Sequence, residues 1–211
     1  MTERRIKLWD LPTRIHHWLL VLLVAFAFAT GLSGGNWIVW HGRIGVAILG
    51  LLSFRLVWGL IGSTYARFGQ FVHGPRAILA YLRGRWHGLG HNPLGALSVL
   101  ALLGLLLTQS LLGLFTTDDI AFKGPLHALI DADSADLLSG LHRRMIWIIG
   151  ALVLLHIAAT LFYTLVRKDD MIRPMLTGDK LTTDPAAVPA SGGGLAAFVI
   201  ALALALAIAW M

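Results

Sequence analysis

The stretch LHRRMIWIIGALVLLHIAATLFY, residues 141–163, decides how the chain is read. It is apolar for most of its length, yet it carries His142 and His156. Ionisable residues inside a membrane span are costly and mark function by default. The two histidines are fourteen positions apart. On a helix, fourteen steps of ~100° return to within ~40° of the start, ~21 Å further along the axis. Both therefore face one side, at two depths of a ~30 Å apolar layer.

Working outward, the chain has further apolar segments at about 15–33, 41–61 and 94–116, and the quoted helix extends over about 141–166. A weaker fifth segment covers 194–211, after the Pro/Gly-rich stretch DPAAVPASGGG. Spans need ~20 mostly apolar residues. Of 211 residues 57% are hydrophobic and 13% charged, and the mean hydropathy is +0.75. Soluble domains are about a quarter charged, so the fold expected is all-α: an integral membrane four-helix bundle plus a fifth, C-terminal transmembrane helix. The domain organisation expected is a transmembrane domain over 1–180, a flexible linker over 181–194 and an additional helix over 195–211.

Charge sets the topology. Arg4, Arg5, Lys7 and Arg14 precede the first span. Arg67, Arg76, Arg83 and Arg85 follow the second, and Arg167, Lys168, Arg173 and Lys180 follow the fourth. The opposite loops hold Lys123 with Asp118, Asp119, Asp131, Asp133 and Asp136. By the positive-inside rule the N-terminus is cytoplasmic. The net charge of +6 reflects topology, and no nucleic-acid partner is expected. Trp9, Trp18, Trp37, Trp40, Trp58, Trp86 and Trp210 fall near the expected interfaces, as an aromatic belt would. The basic N-terminus lacks the cleavage pattern of a signal peptide.

There is no cysteine, which excludes disulfides, iron–sulfur clusters and thioether-linked haem. Haem held without covalent links needs two axial ligands from facing helices. His41 opens the second span on the side of His142, and His17 opens the first span on the side of His156. Depth thus pairs His41 with His142 and His17 with His156. The second match is looser, because Arg167 follows His156 by eleven residues while His17 follows Arg14 by three. His16 points ~100° from His17, so one of the two is the ligand. Structural zinc usually takes four ligands, and no carboxylate accompanies either pair at depth. Arg55 lies fourteen residues from His41, on the same face, at the level of the inner pair. It can meet a haem propionate or snorkel to the interface. Arg143 and Arg144 could serve the outer haem or be interfacial charges. Gly45, Gly50, Gly104, Gly113 and Gly150 read mainly as close-packing positions. His73, His87, His91 and His127 read as loop residues.

The segments WDLPTRIHHW, WHGRIGVAILGLLSFRLVWG and LHRRMIWIIGALVLLHIAATLFY together resemble the bacterial cytochrome b561 family, which includes the cytochrome b subunits of nickel hydrogenases. The resemblance runs from about Lys7 to Gly178. GPRAILAYLRG and GHNPLGALSVL resemble its hydrogenase-related branch. The resemblance implies His17, directly before Trp18, as the first-helix ligand, His41 on the second helix, and His142 and His156 on the fourth. Hydrogenase-type members can use two histidines of the second helix, where this chain has one. The implied protein is a di-haem b-type cytochrome, with two non-covalent bis-histidine haems. It would carry electrons across the membrane between the quinone pool and a redox partner, such as a cytochrome c or a dehydrogenase subunit. The alternatives are a membrane-anchoring cytochrome b subunit of a dedicated hydrogenase or dehydrogenase, or a superoxide/quinone oxidoreductase. A histidine-rich transporter would instead show broken helices or inverted repeats, and neither is visible in the sequence.

Overall fold

The computed structural model describes residues 3–86, 88–120 and 122–210; His87 lies outside the described residues. The chain folds as β1 (Arg4–Lys7), α1 (Leu11–Ser33), α2 (Trp37–Ile61), α3 (Phe68–Phe71), α4 (Pro75–Leu82), α5 (Pro93–Gly113), α6 (Ala132–Leu165), α7 (Ile172–Thr177), β2 (Asp179–Thr182) and α8 (Gly194–Ala209). Among the described residues α1, α2, α5 and α6 are long and apolar enough to cross a membrane. Their outward faces carry large exposed side chains such as Leu22, Phe26, Trp147, Leu154 and Phe162. In lipid such faces cost nothing, and packing between helices, rather than water exclusion, holds the bundle.

Two helices start earlier than hydropathy implies. α2 begins at Trp37, so His41 lies one turn inside it. α6 begins at Ala132 and runs 34 residues, ~51 Å at 1.5 Å per residue. Asp133, Ser134, Asp136 and Ser139 interrupt its first turns, which hides them from a hydropathy reading. Asp131 caps them: its carboxylate accepts from the Ser134 N–H and hydroxyl, both at 2.8 Å. Those bonds hold the Asp131 carboxyl below the usual range. With these bounds His142 and His156 lie symmetrically about the middle of α6, at Ile149.

The chain divides into two packed units, with the four long helices contributing a segment to each. One takes residues up to 16, 55–101 and 154–201; the other takes 17–54, 102–153 and the residues from 202 on. In the first, β1 and β2 pair antiparallel, with Arg4 opposite Thr182 and Lys7 opposite Asp179. The expected flexible linker is tied down here. Ala190 N–H bonds to the Lys7 carbonyl at 2.8 Å, Tyr65 donates to the Val188 carbonyl at 2.6 Å, and Thr64 N–H bonds to the Ser191 carbonyl at 2.8 Å. The Arg4 guanidinium collects the carbonyls of Asp184, Pro185 and Ala187. Proline and glycine leave carbonyls unpaired in this segment, and these donors satisfy them. Trp9 and Trp58 are buried in this unit rather than lying in an interfacial belt, whereas Trp18, Trp37, Trp40 and Trp210 are exposed. α4 is joined to α6 through the hydroxyls of Tyr81 and Tyr163.

The core of the second unit is Ile48, Leu52, Leu106 and Ile149, with Phe28, Leu103 and Met145 packed around it. α8 docks on α2 here. A Cβ on Gly50 would sit 2.7 Å from the Ala205 carbonyl oxygen and 3.2 Å from the Ala209 Cβ. Ala201 and Ala205 are buried along the same helix, while Leu195, Ile200 and Leu206 face outward. α8 has 16 residues, shorter than the other four. Gly50→Leu is expected to push α8 off α2, costing about 1–3 kcal/mol. A lowered thermal midpoint with newly accessible protease sites in residues 183–193 checks this.

Candidate haem site

Two imidazoles come together in the second unit. The His41 and His142 ring centroids are 5.9 Å apart and the planes meet at 85°. His41 Nδ1 lies 2.9 Å from the Ala27 carbonyl oxygen, and His142 Nδ1 lies 3.0 Å from that of Gln109. A carbonyl only accepts, so each Nδ1 carries the proton and each Nε2 keeps its lone pair. A histidine ligating a metal is held in this way, with its second nitrogen donating to a fixed acceptor.

One device builds both halves. Gly31 lies four residues after Ala27, and Gly113 four after Gln109. Helix Cβ atoms tilt toward the N-terminus, so residue i+4 shields the carbonyl of residue i. Glycine removes that shield. A Cβ on Gly31 would lie 2.9 Å from His41 Cε1 and Nδ1, and one on Gly113 would lie 3.1 Å from His142 Cε1. Gln109 Nε2 also donates to the His142 backbone carbonyl at 3.1 Å, which links α5 and α6 a second time.

The pair suits haem iron. A metal held between two imidazole nitrogens at ~2 Å each sets the ring centres about 6 Å apart, the spacing found here. Among the described residues no group of three or more His, Cys, Asp or Glu gathers to hold a metal ion. His41 and His142 would together hold a haem, whose porphyrin would supply the remaining donors. A Cβ on Gly45, one turn along α2 from His41, would meet nothing within 4 Å, so the α2 surface beside the pair is open.

The family model of prokaryotic cytochrome b561 matches residues 8–178. This chain belongs to the prokaryotic cytochrome b561 family. It is a multi-pass membrane b-type cytochrome, with haem b as its cofactor. Its relatives include a probable Ni/Fe-hydrogenase 1 B-type cytochrome subunit of Escherichia coli strain K12, 23% identical over 210 residues, covering 81% of this chain and 88% of the relative. A protein of the same description from Escherichia coli O157:H7 matches to the same extent. No solved structure matches the chain significantly.

Two other expected ligands and the neighbouring His16 lie on α1 and α6. His17 is half-buried on α1, in the second unit, its ring edge-on to Trp18 with centroids 5.0 Å apart. His156 is half-buried on α6, in the first unit. His16 is buried, also in the first unit.

Arg55 is 5% exposed, so it does not snorkel to the surface. Its guanidinium carbon lies 4.9 Å from the Phe68 ring centroid. Its Nη1 is buried with no hydrogen-bond partner among the described residues. Asp10 attracts it electrostatically, but the Asp10 carboxylate is taken up by the Thr13 N–H at 2.7 Å, the Thr13 hydroxyl at 2.8 Å and the Ser63 hydroxyl. Arg143 and Arg144 are exposed. Of the acidic loop residues, Asp131 caps α6, and Asp118 accepts from the N–H groups of Ile120 and Phe122 at 3.0 and 2.7 Å.

Sequence reasoning treated Gly113 as a packing residue and passed over Gly31. The available signal was a glycine inside a helix, which costs ~1 kcal/mol against alanine and needs a compensating reason.

Proposed function

We propose that this cytochrome holds two haem b groups, one between His41 and His142 and one between His17 and His156. It would pass electrons across the membrane between the quinone pool and a redox partner enzyme. The observation that carries this reading is the pair of imidazoles with their Nδ1 protons committed to helix carbonyls and their Nε2 lone pairs left for iron. The second pair is supported by the position of His156, symmetric with His142 about the middle of α6. Haem supplies reversible one-electron exchange, and iron with both axial positions filled favours electron transfer over ligand binding. The protein's part is to fix the imidazoles, set their tautomers and keep water away. The twelve basic residues on one set of loops support a cytoplasmic N-terminus in a bacterial inner membrane.

Arg55 supplies a desolvated cation for the propionates of the inner haem, and its unmatched Nη1 supports that role. Arg143, exposed beside His142, is the corresponding cation for the outer haem. Removing a buried cation favours the ferric state, so Arg55→Met should lower one of two haem potentials by about 60 mV, a tenfold change in a one-electron equilibrium. Redox titration checks it; two unshifted potentials would remove Arg55 from the site.

Electron transfer across the bilayer is testable in proteoliposomes with ferricyanide trapped inside and an impermeant reductant outside. Ferricyanide reduction that needs the haem-loaded protein supports the reading, and its absence contradicts it. A second reading is favoured by the relatives, whose name assigns them to a hydrogenase. Here the cytochrome serves one dedicated hydrogenase or dehydrogenase, and stoichiometric co-purification with a large soluble subunit would distinguish it.

A further inference from the structure

The segment between α2 and α5 carries positive charge with nothing to offset it. It holds Arg67, Arg76, Arg83 and Arg85 and no lysine, and the whole stretch from Leu11 to Thr117 has no acidic residue. Among the described residues the side chains of Arg76, Arg83 and Arg85 have no salt-bridge or hydrogen-bond partner. Two of these arginines bracket α4, a helix with its own start and stop. Gly74 precedes it in extended conformation and Pro75 opens it, where a missing N–H costs nothing. Gly84, at φ +70°, ends it, and the Arg85 N–H returns to the Ala80 carbonyl at 2.9 Å, the usual way a left-handed glycine closes a helix.

One contact fixes the depth of α4, and helix geometry fixes the way it faces. The Tyr81 hydroxyl is hydrogen-bonded to that of Tyr163. Tyr163 is in the last turn of α6, which ends at Leu165, so α4 sits at the level where that span leaves the apolar layer. Arg76, Leu79 and Arg83 lie ~160–220° around the helix from Tyr81, on the face turned away from α6. Both arginines are exposed, and so are Leu79 at 46% and Leu82 at 65%. Leucines and arginines on one exposed face at a membrane boundary suit a phospholipid: the apolar groups meet acyl chains and the guanidinium groups meet phosphate oxygens. Like charges keep a second copy from docking through the same face, and without a carboxylate nearby nothing rewards the ammonium of a zwitterionic headgroup.

We propose that the outward face of α4 is a binding site for an anionic phospholipid of the adjoining leaflet. Its phosphodiester meets Arg76 and Arg83, and its acyl chains lie against Leu79 and Leu82. The Tyr81–Tyr163 hydrogen bond holds α4 to α6 and so keeps the face at headgroup depth. The site is independent of which histidines hold haem.

The test is native mass spectrometry of the full-length, haem-loaded protein in detergent, with phosphatidylglycerol or phosphatidylcholine added. Phosphatidylglycerol is expected to be retained in preference to phosphatidylcholine. Arg76→Gln and Arg83→Gln should each weaken its binding about fivefold, the effect of one basic residue at an anionic membrane surface. Arg173→Gln removes the same charge from α7 and should leave binding unchanged. All three arginines are exposed, so the variants are expected to fold and to keep their haem, which is measured on the same samples. Equal retention of the two lipids would overturn the proposal. An equal loss in Arg173→Gln would overturn it too, because the attraction would then belong to the charge of the whole surface. Displacement of the lipid by an equal concentration of glycerol phosphate would assign the arginines to a soluble anion and likewise contradict a lipid site.

Discussion

Substituting His41 or His142 by alanine should remove about half of the bound haem, leaving the other group in place. On the proposed pairing, each ring would supply one Nε2 to a shared site. The ring centroids are 5.9 Å apart with their planes at 85°, so on this pairing loss of either would leave haem iron with one protein ligand at that level. The two single variants should therefore look alike, and the double variant should look no worse than either, as expected of residues acting as one unit. Pyridine haemochrome analysis against protein concentration measures this directly. Full haem content in either variant would break the pairing.

The second large effect belongs to a residue that cannot touch iron. Gly31→Ala should cost the His41 site its haem affinity by about 10–100-fold, the range for disturbing a ligand's supporting hydrogen bond. The added Cβ would stand 2.9 Å from two atoms of the His41 ring. The ring can escape only by giving up the bond from its Nδ1 to the Ala27 carbonyl. Gly113→Ala should follow the same pattern more weakly, since its Cβ would approach His142 Cε1 to 3.1 Å. Haem retention during dilution or competition with an apo-haemoprotein reads the difference. Equal retention in wild type and Gly31→Ala would mean that the carbonyl contact does not hold the ligand.

The spans and the histidine spacing were legible because a lipid environment leaves few solutions. Apolar runs must be helices, and ionisable groups within them stand out against Leu, Ile and Val. The start of α6 was not legible by hydropathy, because Asp133, Ser134, Asp136 and Ser139 interrupt its first turns; the cap at Asp131 was the available signal. With the start at Ala132, His142 and His156 lie evenly about Ile149. The tail over 183–193 read as free because its anchors, at Arg4, Lys7, Thr64 and Tyr65, are far away in sequence. Trp9 and Trp58 read as interfacial because tryptophan suits a membrane interface and a packed core equally well. Gly50 and Gly113 show two uses of a small residue in a helix. One admits the backbone of α8, and the other admits an imidazole to a carbonyl.

Haem per polypeptide on detergent-purified protein is the most direct measurement of the central claim. Two non-covalent b haems per chain, both low-spin and six-coordinate, are the predicted result. A single haem would contradict the assignment of a second site to His17 and His156, and a folded protein with no haem would contradict the assignment of both.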